Sequence, residues 1–196
     1  MNRLPDANRH FNLPARLLHW SMAVAILAML FIGAAMVVSL RHREVLLDLH
    51  RPLGLAILLL AIVRLINRWR HAPPPLPADL PRIQVWAAKA SHILLYALML
   101  AMPLIGWAML SAGAYPVVLF DGVNLPAILP HSPAMYGVLR PLHGLLAYLL
   151  FFTILAHIGA ALYHAWIRRD GVFGQMARGG REAGDAPSAA EQDRAR

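Results

Sequence analysis

Charged residues fall along this chain in clumps, and long apolar runs lie between the clumps. Residues 17–40 contain no Asp, Glu, Lys or Arg. A helix needs about 20 predominantly apolar residues to cross a hydrocarbon core of roughly 30 Å, so this run predicts a first spanning helix starting near Leu17. The second run is shorter: its apolar centre, residues 52–63, is bracketed by Arg51 and Arg64 within a helix predicted over 48–67. Pro52 suits its first turn. Repeated prolines across residues 71–81 remove backbone donors and fix φ, which predicts an extended connection. A third helix is expected from about Val85 to Ser111, kinked at Pro103. Gly and Pro then dominate residues 112–133, and the apolar stretch 117–120 within them suggests a loop lying at the membrane interface. Arg140 and Arg168 enclose the fourth span. The fold class expected is an all-α, integral membrane four-helix bundle over residues 1–170, followed by a disordered cytoplasmic tail over 171–196, which is short of large apolar residues.

Of the 196 residues 59% are hydrophobic and 14% charged, so lipid and not water must be the main solvent. The first run has no evident cleavage signal behind it and reads as a retained helix. Four spans put both termini on one side. That side, with the 71–81 connection, carries 14 of the 18 Lys and Arg residues, while Arg41, Arg43, Arg51 and Arg140 fall on the other. The positive-inside rule therefore makes both termini cytoplasmic in an inner (plasma) membrane. The net charge of +8 is explained by this topology and does not point to nucleic acid. With no cysteine there can be no disulfide, thiolate metal site, iron–sulfur cluster or covalently attached haem, which leaves histidine as the leading ligand type.

Ionisable residues inside a membrane are costly and need partners. Acids are missing from the apolar spans, but His19, His50, His92, His143, His157 and His164 recur along them. His143 and His157 are 14 residues apart, close to four turns, so one helix presents two imidazoles on nearly the same face at levels roughly 21 Å apart. Helix direction then sorts the histidines by depth. His19 and His157 lie low, near the cytoplasmic side; His50 and His143 lie high. Each pair can clamp one iron axially, which predicts two haems. Gly33, 14 residues beyond His19, would leave room for the upper porphyrin, and Arg64, 14 beyond His50, would reach the lower haem's propionates. Gly33 and Gly54 read equally well as close-packing positions. His164, on a face similar to that of His157, is the alternative lower ligand, and His92 reads as a neighbour of the lower haem or of a quinone. A quinone frame built from Trp69, Arg70, Trp86 and His92 is a further expectation.

These residues carry a likeness. Leu18-His19-Trp20 open the first helix; His50 precedes Gly54; Val63-Arg64-Leu65 leads into the proline-rich connection; Ser91-His92 is followed by Tyr96 and Pro103-Leu104-Ile105-Gly106; His143 and His157 stand ahead of His164. In their order and spacing, over about residues 10–175, they resemble the bacterial cytochrome b561 family, the di-haem membrane cytochromes related to the cytochrome b subunits of nickel–iron hydrogenases. The resemblance implies haem b ligated by His19, His50, His143 and His157, electron exchange with membrane ubiquinone, and for stand-alone members oxidation of superoxide on the outer side. It leaves two rivals open: a relay subunit serving another redox protein such as a hydrogenase, and a histidine-lined metal or proton transporter. The missing intramembrane acids count against the transporter.

Overall fold

In a computed structural model, described over residues 10–120 and 122–177, four long helices dominate: α1 (Leu13–Val38), α2 (Arg43–Arg70), α3 (Arg82–Ala112) and α4 (Pro133–Leu162). All four are long and apolar enough to cross a membrane. Each begins before the limit its apolar stretch suggested, and α2 and α3 also end beyond it, because polar turns at the membrane edge continue the backbone hydrogen bonding that hydrocarbon enforces. α1 begins four residues before Leu17, where the Asn12 side chain accepts from the Ala15 N–H and caps it. α2 begins at Arg43, so Pro52 lies inside the helix and not in its first turn. α3 begins at Arg82, before Val85, and α4 at Pro133, behind a Ser132 cap. Pro103 and Pro141 are also interior, and each interior proline removes one bond from its helix.

Residues 112–133 are more ordered than a plain loop. They contain a two-stranded antiparallel hairpin, β1 (Val117–Phe120) and β2 (Val123–Leu125), irregular between Val118 and Phe120. The hairpin is tied to α3 where Trp107 donates to the Pro126 carbonyl and the Ser111 hydroxyl accepts from the Ile128 N–H. At the opposite end α4 passes into a π-helical turn, Tyr163–Arg168, and a short helix, α5 (Val172–Ala177). The expectation of a disordered tail from residue 171 is therefore corrected for 172–177, which form that helix; residues 178–196 lie outside the described residues. Docking explains the order. The Phe11 N–H donates to the Gln175 carbonyl, the Trp20 indole to the Met176 carbonyl, and Arg168 bonds both Asp79 and Asp170. The N-terminal segment, the 71–81 connection and α5 thus share one end of the bundle, the terminal end; the α1–α2 turn and the β hairpin form the other, the hairpin end.

α1 packs on α2, α2 on α3, and α3 on α4, whereas α4 stands off from α1 and α2. The buried core is thin: Met22, Ile26, Ile57, Ala61, Leu98, Met99 and Leu150 meet in one layer halfway along the helices. Large apolar side chains such as Phe31, Val37 and Phe152 point outward and are mostly exposed, as expected of surfaces solvated by lipid.

Candidate functional site

The helices that stand apart are bridged by imidazoles. Above the apolar layer, toward the hairpin end, His50 of α2 faces His143 of α4 with ring centres 6.2 Å apart. Below it, His19 of α1 faces His157 of α4 at 6.3 Å. The rings of each pair meet edge to face without a hydrogen bond between them among the described residues, and both rings in each are half-buried. Two imidazoles bound to one metal from opposite sides, each nitrogen about 2 Å from it, have centres roughly 6 Å apart. Depth sorting pairs these same four residues, and the geometry brings them together in those pairs.

At the hairpin end the surroundings are spare. The Nδ1 atom of His50 is buried without a hydrogen-bond partner among the described residues, a condition that native interiors avoid unless a ligand or ion supplies the partner. The neighbours are glycines. A Cβ on Gly33 would come within 3.9 Å of His50 Cε1, and one on Gly106 within 3.3 Å of His143 Cε1. Gly33 is where the 14-residue step from His19 puts it. Gly106 is a site residue that sequence reasoning missed, although the signal was present: it lies 14 residues beyond His92. Gly54 is different. A Cβ there would lie 3.6 Å from the Met29 methyl of α1, and Gly54 borders neither pair's rings.

The terminal end is crowded and basic. Arg64 donates to His19 Nδ1 at 2.9 Å and to the Tyr96 hydroxyl at 3.0 Å. A His19 ring accepting at Nδ1 carries its hydrogen on Nε2. His92 lies beside His157, ring centres 5.6 Å apart, so three imidazoles gather at this level. The guanidinium groups of Arg64 and Arg68 lie 5.7 and 5.9 Å from the centre of the Tyr96 ring. Arg16, one turn before His19, has a buried Nε without a partner among the described residues. His164 is engaged elsewhere: its Nδ1 lies 2.7 Å from Asp170 Oδ2 at the end of the π-helical turn. Burial pushes the Asp170 carboxyl up, but hydrogen bonds from His164, the Val172 N–H and Arg168 outweigh it and hold the group below its ordinary range. Trp69 and Trp86 are exposed, with Lys89 against the Trp86 ring, so the expected quinone frame is not gathered into one enclosure. No three His, Cys, Asp or Glu among the described residues are placed to hold a metal ion together. What both levels offer is an axial pair, the donor set that suits a haem.

A family model described as prokaryotic cytochrome b561 matches residues 10–179, nearly the whole bundle. The chain belongs to the prokaryotic cytochrome b561 family. It is similar to cytochrome b561 homolog 1 of Escherichia coli (strain K12), 30% identical over 66% of this chain and 73% of that protein. Cytochrome b561 homolog 2 of the same organism is 28% identical over 81% of this chain and 86% of its own length. A probable superoxide oxidase CybB of Yersinia pestis is 32% identical over 65% of this chain and 72% of its own length. Membership makes this a bacterial membrane cytochrome that works in electron transfer, and it implies haem b as cofactor.

Proposed function

We propose that this cytochrome holds two haem b groups, one between His50 and His143 and one between His19 and His157, and passes electrons from an outer-side donor to membrane ubiquinone. The observation that carries the reading is the pair of ring separations, 6.2 and 6.3 Å, recurring at two levels of helices that otherwise stand apart. Held there by two imidazoles, haem would supply a one-electron iron couple with no room for a further ligand, which favours outer-sphere electron transfer over binding of oxygen.

The chain's own residues position and select. Gly33 and Gly106 leave the room a flat macrocycle needs beside the hairpin-end pair. For His19 to ligate through Nε2, its Nδ1 must carry the hydrogen, and Arg64 then has nothing to donate to there. The guanidinium is released to pair with haem carboxylates, while Tyr96 keeps it close. His92, adjoining His157, lines the same level and borders the haem or a quinone.

With the termini cytoplasmic, as the Lys and Arg distribution supports, the hairpin end faces outward. Superoxide is the donor we favour, because a relative about one-third identical carries the name probable superoxide oxidase. Two superoxide anions each give up one electron and leave as dioxygen; ubiquinone takes both electrons with two protons and becomes ubiquinol. Arg41, Arg43 and Arg140 at the outer boundary would draw in a small anion, against the opposing charge of Glu44, while Arg51 is matched by Asp48. Purified protein should contain two haems per chain, and superoxide should reduce them without any added protein. Failure of that reduction, with reduction by a co-purifying redox partner instead, would replace superoxide with the relay-subunit reading.

A further inference from the structure

At the terminal end, Asn12, Arg64, Asn67, Arg68, His71 and Tyr96 line one open cleft between α1, α2 and α3, and no acid is among its lining residues. Arg64 and Arg68 are half-buried, and neither makes an ion pair among the described residues. A guanidinium is always charged, and holding two of them at a membrane boundary without a counter-charge is costly. The cleft is therefore built for an anion with two acceptor groups, or for two carboxylates. Arg64 already touches His19, which places the cleft beside the terminal-end imidazole pair. The hairpin end is balanced differently. Arg51, the cation next to His50, is matched by Asp48 at 3.5 Å.

We propose that Arg68 is a positioning residue for the terminal-end haem: with Arg64, its neighbour one turn away beside Tyr96, it would pair with that haem's carboxylates, and the positive charge gathered there gives this haem the higher reduction potential. Reduction adds negative charge, so nearby uncompensated cations favour the reduced form. Electrons then run downhill from the hairpin end to the terminal end, away from the outer donor and toward the acceptor. This direction rests on the two-haem reading above.

The test is an optical redox titration of purified full-length protein. Wild type should show two components. R68Q should lower the higher one, shifting electron partition between the haems by about tenfold, or 59 mV for a one-electron couple, with the lower one in place. R68K keeps the charge and should restore most of the shift. In H143A protein the surviving component should be the higher one. If R68Q leaves both potentials unmoved while R68Q protein retains less anionic lipid, the cleft holds a lipid phosphate and the proposal is overturned. It is overturned too if H143A removes the higher component. Fewer than two haems per wild-type chain would instead bring down the two-haem reading, and this inference with it; two haems with unmoved potentials bring down the inference alone.

Discussion

The two levels of the bundle are made from the same four helices and differ in what each helix contributes. Toward the hairpin end the stations are Gly33, His50, Gly106 and His143; toward the terminal end they are His19, Arg64, His92 and His157. Each helix supplies one of each, 14 residues apart. A repeat this close to four turns keeps both stations on one interior face. One level therefore has two imidazoles and two absent side chains, and the other has three imidazoles and a guanidinium. The first is shaped to enclose an apolar disc. The second can meet anions and exchange protons. Backbone chemistry follows the same division: Pro52, Pro103 and Pro141 all lie within three residues of a hairpin-end station, where each leaves a carbonyl without its helical donor.

That division can be broken most severely at the ligands. His143→Ala should reduce two haems per chain to one and spare the terminal-end spectrum, while His19→Ala should do the reverse; pyridine haemochrome quantitation against protein mass reads both. Equal loss of both haems from folded, monodisperse His143→Ala protein would mean that the levels are not independent. Next in size is Gly106→Leu. A Cβ there already stands 3.3 Å from His143, so the added bulk should displace the ring and change the low-temperature spectrum of the hairpin-end haem only, with Gly33→Leu weaker because its space is wider. Arg64→Met removes a charged donor from the terminal end. Hydrogen bonds to charged groups are worth about 1.5–3 kcal/mol, so haem retention at that level alone should fall by roughly tenfold or more in a competition with apomyoglobin. Tyr96→Phe, which loses one neutral partner of Arg64, should cost about 1 kcal/mol or less in the same assay.

The smallest expected effect concerns the clip that closes the terminal end. Asp170 is held below its ordinary carboxylate range by His164, the Val172 N–H and Arg168. A depressed folded-state pKa contributes stability that is fully present above the unfolded value and is lost as pH falls through the folded one. Docking of α5 should therefore be unchanged from neutral pH down to about 4 and loosen below it. Asp170→Asn should abolish that acid dependence, as read by protease cleavage near residue 171, without altering either haem.

The four spans were legible because hydrocarbon tolerates no unpaired charge, so the clumps of Arg and Asp mark where each span must surface. Helix ends were less legible. The turn from Arg43 to Asp48 is helical although it is polar, since nothing in its composition distinguishes a helix above the membrane from a loop. Short elements held by distant contacts were missed for the same reason: α5 depends on Phe11 and Trp20, 156 residues from its Met176 in the latter case. Within the site, histidine depth was readable from helix direction alone. Gly106 carried the same 14-residue signal as Gly33, counted from His92, but its role becomes plain only where His143 lies beside it. Nor does sequence spacing reveal that Arg64 would meet both His19 and Tyr96, which sit on two other helices.

The thin layer of Met22, Ile26, Ile57, Ala61, Leu98, Met99 and Leu150 now takes on a meaning beyond packing. It has no titratable group and no side-chain oxygen or nitrogen, so hydronium finds no foothold in it. With a haem on either side, as proposed, it would act as an electrical septum, passing electrons by tunnelling while offering ions no side chain to hop along. In the proposed orientation, electrons crossing it would move charge across the membrane without opening a path for protons through the same bundle.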